Sequence, residues 1–308
     1  MEKIIFLEPF IQETIWGGKR LKEYGYNLPY EKNGEAWIIS AIKDKESKIK
    51  GINKSLREFY IEKKSFFNNY NGEYPLLVKI IDANDDLSIQ VHPDNEYAKN
   101  KHGKYGKSEC WYILDCKNNS DIVYGHNAKN KTELIDYIKN NKWDNLLKVI
   151  KIDKNDFIDV PPGTIHAIKN NTLIYEVQQS SDITYRLYDY DRLSNGKHRE
   201  LHINDSLNVI YYPQNNLTIS KTNTNYDNKI QLLLENQYFK IIKINVNSNL
   251  ELLFDDAHWV QATVIDGNGF VDNIKIRKGD NFLVAHNSKF KISSQKMTII
   301  ISYVPIKK

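Results

Sequence analysis

A mainly β architecture, with a few helices and a second, smaller β sandwich at the C-terminal end, is predicted by three features of the chain. Short apolar segments alternate with polar residues and are bounded by Asn, Asp, Gly and Pro, the pattern of half-buried strands between turns. Segments with helical periodicity are few. A polar stretch at 214–229 (QNNLTISKTNTNYDNK), nearly free of bulky apolar side chains, lies between two strand-rich regions and reads as a linker. The domain division that follows is 1–220 for the larger unit and 221–308 for the smaller.

In chain order, Ser55-Leu56-Arg57-Glu58 fits a capping box and opens an apolar-periodic helix to about Phe67. Pro75 to Ile81 and Leu87 to His92 read as strands, and Asp94 caps a short helix ending by Gly103. Thr132 is the expected cap of a helical segment to about Ile150, broken near Asn140-Asn141. Phe157 to Pro161 is a strand. Ile165 to Ile168 and Thr172 to Gln178 read as a hairpin around Lys169-Asn170-Asn171, followed by a strand at Thr184 to Tyr188. Asn204 to Ile210 is a helix stopped by Pro213. Beyond the linker, strands are expected at Tyr238 to Val246, Val260 to Ile265, Asn273 to Ile276, Asn281 to Ala285 and Met297 to Val304.

Composition removes several classes of function. With 308 residues, 41% hydrophobic, the chain can bury one large core or two small ones. Its formal charge of +4 comes without a long basic run, which argues against a nucleic-acid partner. No segment approaches the ~18 consecutive apolar residues of a membrane span, and the N-terminal MEKIIFLEPF does not read as a signal peptide. Two cysteines, Cys110 and Cys116, make no disulfide framework. A cytoplasmic protein, a monomer or small homo-oligomer, is the expectation.

Three clusters carry chemistry. Ser88, Gln90 and His92 fall at spacing two, so on a strand they share one face while Leu87, Ile89 and Val91 share the other. The apolar set suits a core, which leaves the polar set facing water, a cavity or a ligand. Pro161-Pro162-Gly163-Thr164-Ile165-His166 places a turn immediately before a strand led by histidine. Glu109, in Gly106-Lys107-Ser108-Glu109-Cys110-Trp111, opens an apolar strand with a carboxylate at its mouth. Each has an ordinary structural alternative: a solvated strand face, a surface hairpin, an edge-protecting charge.

Taken together, these clusters resemble the metal site of the cupins, implying a double-stranded β-helix, or jelly roll, for the larger domain and a metal-free cupin-like sandwich for the smaller. Within that superfamily the chain resembles type I mannose-6-phosphate isomerases of the short bacterial form. The resemblance rests on Glu13 to Gly18, Gly34-Glu35-Ala36-Trp37, Pro75 to Asp94 (PLLVKIIDANDDLSIQVHPD), Lys107 to Trp111, Val160 to His166 and Leu173 to Arg192 (LIYEVQQSSDITYRLYDYDR). It implies one zinc ion held by Gln90, His92, Glu109 and His166. Imidazole nitrogen and carboxylate oxygen suit zinc at about 2.0–2.2 Å, and this ligand set leaves the site about one unit positive, a good Lewis acid.

The implied reaction interconverts mannose 6-phosphate and fructose 6-phosphate by proton transfer through an enediol. The resemblance assigns catalytic roles to Glu176 and Arg186. Lys107, His92 and Asp182 compete with Glu176 as the group that moves the proton, and the structural alternative for Glu176 is a buried ion pair with a neighbour such as Arg186. For the phosphorylated hexose, Lys79 in LLVKII and Lys107 are cation candidates, Ser88 a hydrogen-bond donor and Trp16 a stacking surface. Arg192 and Lys197 read as solvated loop charges, and His102, His126, His198, His202, His258 and His286 show no ligand spacing. Two rival readings use the same residues: an iron(II) oxygenase built on two histidines and a carboxylate, and a sugar-phosphate-binding module without turnover.

Overall fold

The computed structural model describes residues 3–214 and 217–307; Met1, Glu2, Lys308 and Asn215-Asn216 of the polar stretch lie outside it. Two antiparallel sheets form the body of the larger unit. The first has seven strands in the order Ile219–Lys221, Asp156–Val160, Glu109–Cys116, Thr172–Gln179, Leu76–Ala83, Phe10–Gly18 and Asn33–Ile39. The second has five: Tyr185–Tyr188, Ile89–Val91, His166–Ile168, Asp121–His126 and Leu147–Lys151. From Leu76–Ala83 to Tyr185–Tyr188 the chain passes back and forth between the sheets, the cupin-like arrangement expected, except that Asp121–His126 and Leu147–Lys151 follow one another in the same sheet.

Strand alternation divides the seven-stranded sheet into two chemically different faces. Val78, Ile80, Tyr175, Val177, Cys110 and Tyr112 belong to a core shared with Phe239, Ile241, Trp259, Leu283 and Ile300 of the C-terminal region. On the opposite face, Trp16, Ile81, Trp111 and Ile174 pack with Ile122, Tyr124 and Ile168 of the five-stranded sheet. Both faces are therefore covered, and every residue of Leu76–Ala83 and Thr172–Gln179 is buried. Lys79, Glu109 and Glu176 fall on the same face as Trp111, turned toward the five-stranded sheet.

The C-terminal strands form one nine-stranded sheet, ordered from Ile230–Glu235 through Lys240–Val246, Phe290–Tyr303, Val260–Val271 and Asn281–Val284 to Ile4–Glu8 and Lys48–Ile49. It thus draws strands from both sides of the 220/221 boundary, with Ile4 opposite Val284 and Leu7 opposite Asn281. Register shifts at Val264/Asp266 and Asn268/Phe270 bend the Val260–Val271 strand against its partner. Both of its ends, from Val260 to Val271, join a second core with Ile276, Phe290 and Ile301. Trp259 anchors the contact between the units, its ring 5.0 Å from Phe67 and 5.2 Å from Tyr74.

Several local expectations hold. The Ser55/Glu58 capping box is formed, and the helix runs Leu56–Glu62 before tightening to a 3₁₀ turn at Lys64–Phe67. Asp94 caps Asn95–His102, which ends on left-handed Gly103. Others need correction. The 165–178 hairpin does not form: His166–Ile168 pairs with Ile89–Val91 and Asp121–His126, whereas Thr172–Gln179 pairs with Leu76–Ala83 and Glu109–Cys116. The turn at 169–171, with Asn171 at φ 60°, carries the chain from one sheet to the other. The 132–150 segment is capped by Asn130 rather than Thr132; it breaks at Asn140 as expected and resumes at Trp143–Leu146, but Leu147–Lys151 is a strand, because Asp121–His126 offers it an edge. Within the polar stretch, Ile219–Lys221 pairs with Asp156–Val160.

Asp159 supplies a stability test. Its Oδ1 is buried without a hydrogen-bond donor, and burial pushes its pKa up to about 6. A folded pKa above the unfolded value stabilises the fold at low pH and loses that contribution as pH rises through about 6. Asp159→Asn should therefore be more stable than the natural chain above pH 6, by about 1 kcal/mol after solvent screening. The gap, measured by urea denaturation, should widen from about pH 5 to about pH 8.

Candidate active site

Strand register assembles the site. Gln90 lies opposite His166, and Arg186 lies opposite Gln90 on its other side. In the facing sheet, Glu176 sits between Lys79 and Trp111, and Glu109 lies opposite Gln178. Gly163 fixes the approach to His166: its backbone is left-handed at φ 79°, its N–H donates to the His92 carbonyl at 2.9 Å, and a Cβ there would come within 2.8 Å of the Val209 carbonyl oxygen. The Pro-Pro-Gly-Thr turn thereby ties the two histidine segments together.

The imidazoles converge on one carboxylate. His92 Nε2 lies 3.4 Å from Glu109 Oε2 and His166 Nε2 lies 3.3 Å from Oε1. Ligand atoms of the three groups fall within 4.8 Å of one another, and all three residues are buried. Each histidine's Nδ1 lies 2.9 Å from a backbone carbonyl, of Ile183 for His92 and Thr164 for His166. That contact selects the tautomer whose Nε2 lone pair points into the cluster. Gln90 completes the group, its amide nitrogen 3.3 Å from His166 Nε2; a half-turn of the amide presents its carbonyl oxygen instead.

The donor set fits a divalent cation. Both oxygens of Glu109 are buried without an aligned hydrogen-bond donor, an arrangement that is costly unless a cation is close. Lys107 supplies part of that charge, with Nζ 2.9 Å from Glu109 Oε2 and 3.0 Å from His92 Nε2. Burial opposes ionisation of Glu109, but Lys107 and the two imidazoles outweigh it and hold the carboxyl well below its usual range. Burial, with Lys107, brings His92 down to about 3, and burial lowers His166 as well. Neutral imidazoles beside a carboxylate are the protonation states a metal site requires.

A second charged group lies alongside. Lys79 Nζ is 3.2 Å from Glu176 Oε1 and 3.4 Å from Glu35 Oε2, and 5.0 Å from the Trp37 ring centroid. Trp111 Nε1 donates to Glu176 Oε2 at 3.0 Å, and Trp37 Nε1 donates to Glu35 Oε2 at 2.6 Å. Burial raises the Glu176 pKa, Lys79 pulls it down, and Glu109 adds to the rise, with the balance upward. For Lys79, burial is outweighed by Glu35, Glu176 and Glu109, so its ammonium is held charged. The buried ion pair that is the structural alternative for Glu176 is formed, with Lys79 rather than Arg186 as the neighbour.

Above these groups opens a cleft of about 870 Å³ whose wall includes Lys79, Lys107, Arg186, Arg192 and Arg199. Trp16 also lines it, although it is only 4% exposed and packs in the core against Ile81 and Trp111. Ser88, Glu176, His92, Glu109 and His166 are buried behind this wall, in contact with it through Arg186 for Ser88, Lys79 for Glu176, and Lys107 for His92 and Glu109. Arg186 Nε donates to Ser88 Oγ at 3.2 Å, and Ser88 Oγ lies 3.4 Å from Gln90 Oε1.

Three groups went unrecognised in the sequence. Glu35 sits in the Gly34-Glu35-Ala36-Trp37 segment, where its spacing of two from Trp37 was the available signal. Asp189 is a buried carboxylate gripping Arg192 at 2.6 Å and Arg199 at 2.7 Å. Arg192 is thus a fixed cleft residue, not a solvated loop charge, and Arg199 had no motif to mark it. His202 holds the Arg186 backbone, with Arg186 N 3.3 Å from its Nδ1 and His202 N 2.8 Å from the Arg186 carbonyl.

Comparison with known proteins agrees with this geometry. Residues 4–109 match the family model described as the catalytic domain of type I phosphomannose isomerase. The Bacillus subtilis protein YvyI is 40% identical over 97% of this chain and 98% of its own length. Mannose-6-phosphate isomerase ManA of Bacillus subtilis is 38% identical over 96% of this chain and 98% of its own. The crystal structure of mannose 6-phosphate isomerase from Bacillus subtilis superposes with a TM-score of 0.89 at 38% identity, covering 98% of this chain and all of that one. Fold, buried histidine–carboxylate cluster and full-length similarity converge: the chain belongs to the type I phosphomannose isomerases.

Proposed function

We propose that the family's reaction, interconversion of mannose 6-phosphate and fructose 6-phosphate, runs on the floor of this cleft with Gln90, His92, Glu109 and His166 holding one zinc ion. The observation that carries this reading is the meeting of His92, Glu109 and His166 within 4.8 Å beside buried Lys107 and Glu176. Two imidazoles, one carboxylate and one amide suit zinc, which when bound supplies a Lewis acid for the charge that develops on the sugar oxygens. No organic cofactor is required.

The protein's own groups divide the remaining work. Glu176 takes the proton from C2 and returns it to C1: burial makes it a stronger base than an ordinary carboxylate, and its Oε1 accepts no aligned hydrogen bond. Lys107 holds a proton at Nζ for the sugar oxygen. Arg186, braced by Ser88 and the Glu200 carbonyl, faces the enediolate. Lys79 is shared between two carboxylates, so its role shifts from receiving phosphate to steadying Glu176. The phosphate then goes to Arg192 and Arg199 on the cleft wall, with Trp16 offering an edge to the sugar. The 221–308 unit serves as the packing partner of the seven-stranded sheet. A cytoplasmic location suits two free cysteines, and no described helix is long and apolar enough to cross a membrane.

The relatives named as isomerases do not favour an oxygenase or a module without turnover. The direct test is a coupled assay for fructose 6-phosphate formed from mannose 6-phosphate. Turnover should vanish with chelator and return with added zinc; turnover that survives complete metal removal overturns the reading. His166→Ala should lose metal and activity together, whereas Arg186→Ala should retain metal, by elemental analysis, and lose most turnover. Glu176→Gln should also retain metal while kcat falls by about 10²–10⁴-fold; unchanged kcat would exclude it as the base.

A further inference from the structure

We propose that a crevice between the seven-stranded sheet and the C-terminal sheet, separate from the isomerase cleft, binds a small oxyanion of the phosphate-monoester class. This cavity, of about 260 Å³, is lined by Tyr112, Lys154 and Asn155 from one side and by Lys243, Asn245 and Lys296 from the other. It is smaller than the ~300–1,000 Å³ typical of sites for drug-sized ligands, which suits a phosphate or a short phosphorylated metabolite better than a nucleotide.

Lys243 is the central observation. It is 2% exposed, and among the described residues no carboxylate lies within ion-pair distance of it. Its Nζ donates to Thr222 Oγ1 at 3.0 Å and to the Asn223 carbonyl at 2.8 Å, and lies 5.1 Å from the Tyr112 ring centroid. An ammonium carries three donors, so one remains for a ligand. Burial alone brings Lys243 down to about 8, the behaviour of a cation lacking its counter-charge.

The surroundings reinforce this reading. Lys154 and Lys296 are exposed and make no ion pair among the described residues. Lys278, also on the lining, lies 3.7 Å from Glu23. Asp266 is the acidic residue of the lining, and Tyr226 OH donates to it at 3.4 Å. Positive charge in a concave, partly dry crevice focuses the field on an incoming anion. Tyr112 OH donates to Asn155 Oδ1 at 2.7 Å, so an occupant would touch the strand whose first residue is Glu109.

The site is argued independently of the isomerase mechanism, and its test is spatially resolved. Inorganic phosphate would be titrated into the metal-loaded protein at constant ionic strength, following backbone amide shifts, with chloride as the control. Saturable shifts at Asn155, Asn245 and Thr298, distinct from those at the Arg192 cleft, are expected. In the Lys154→Gln/Lys296→Gln double variant the crevice affinity should fall at least tenfold while the cleft shifts and turnover persist. Lys243→Met should abolish the crevice response. No saturable shift at the crevice, or an unchanged isotherm in the double variant, overturns the proposal.

Discussion

Four ionised side chains buried between two sheets set the terms for the rest of this molecule. Lys79, Lys107, Glu109 and Glu176 are each no more than 7% exposed, and removing one such charge from water costs several kcal/mol. The cost is bearable because each charge meets an opposite one: Lys107 at Glu109, Lys79 between Glu176 and Glu35. Deleting a single member strands its partner, so the group must be kept or changed as a unit. The imidazoles contribute by remaining neutral, leaving Glu109 with acceptor capacity that protein donors do not exhaust.

The scaffold around this group is correspondingly rigid. The seven-stranded sheet presents aliphatic and aromatic side chains to the C-terminal sheet, and its charged ones, set among Trp16, Ile81, Trp111 and Ile174, to the five-stranded sheet, by the simple alternation of a strand. A slip of one residue in Leu76–Ala83 or Thr172–Gln179 would send Lys79 or Glu176 into the core around Phe239 and Trp259, and put a hydrophobe in the site. Packing on both faces opposes that slip. The C-terminal region, packed on the outer face of this sheet, therefore supports the register that places the charges.

Much of this was legible in the sequence, and the gaps have physical causes. Spacing two placed Ser88, Gln90 and His92 together, and the Pro-Pro-Gly turn marked His166, because strand geometry and turn chemistry are local. The expected 165–178 hairpin does not form because Lys169-Asn170-Asn171 announces a reversal but does not say which sheet the next strand joins. Sheet membership is decided by edges far away in the chain, at Gln90 and Tyr124 for His166 and at Lys79 and Trp111 for Glu176, and nothing near Ile4 points to Val284. Glu35 and Asp189 escaped notice because their value lies in the partners they meet, Lys79 for one and two arginines for the other. The strand at Leu147–Lys151, where helix is expected, follows from the edge that Asp121–His126 offers it.

The pairing of Ile4–Glu8 with Asn281–Val284 has a consequence for biosynthesis. At ~5–20 residues per second, roughly 15–55 s pass between translation of the first strand and arrival of its mate. Throughout that interval the apolar IIFLE segment has an unfilled hydrogen-bonding edge on the nascent polypeptide. The ribosome-bound chain must therefore shield this segment, through transient contacts or a holding chaperone, until the closing strand emerges.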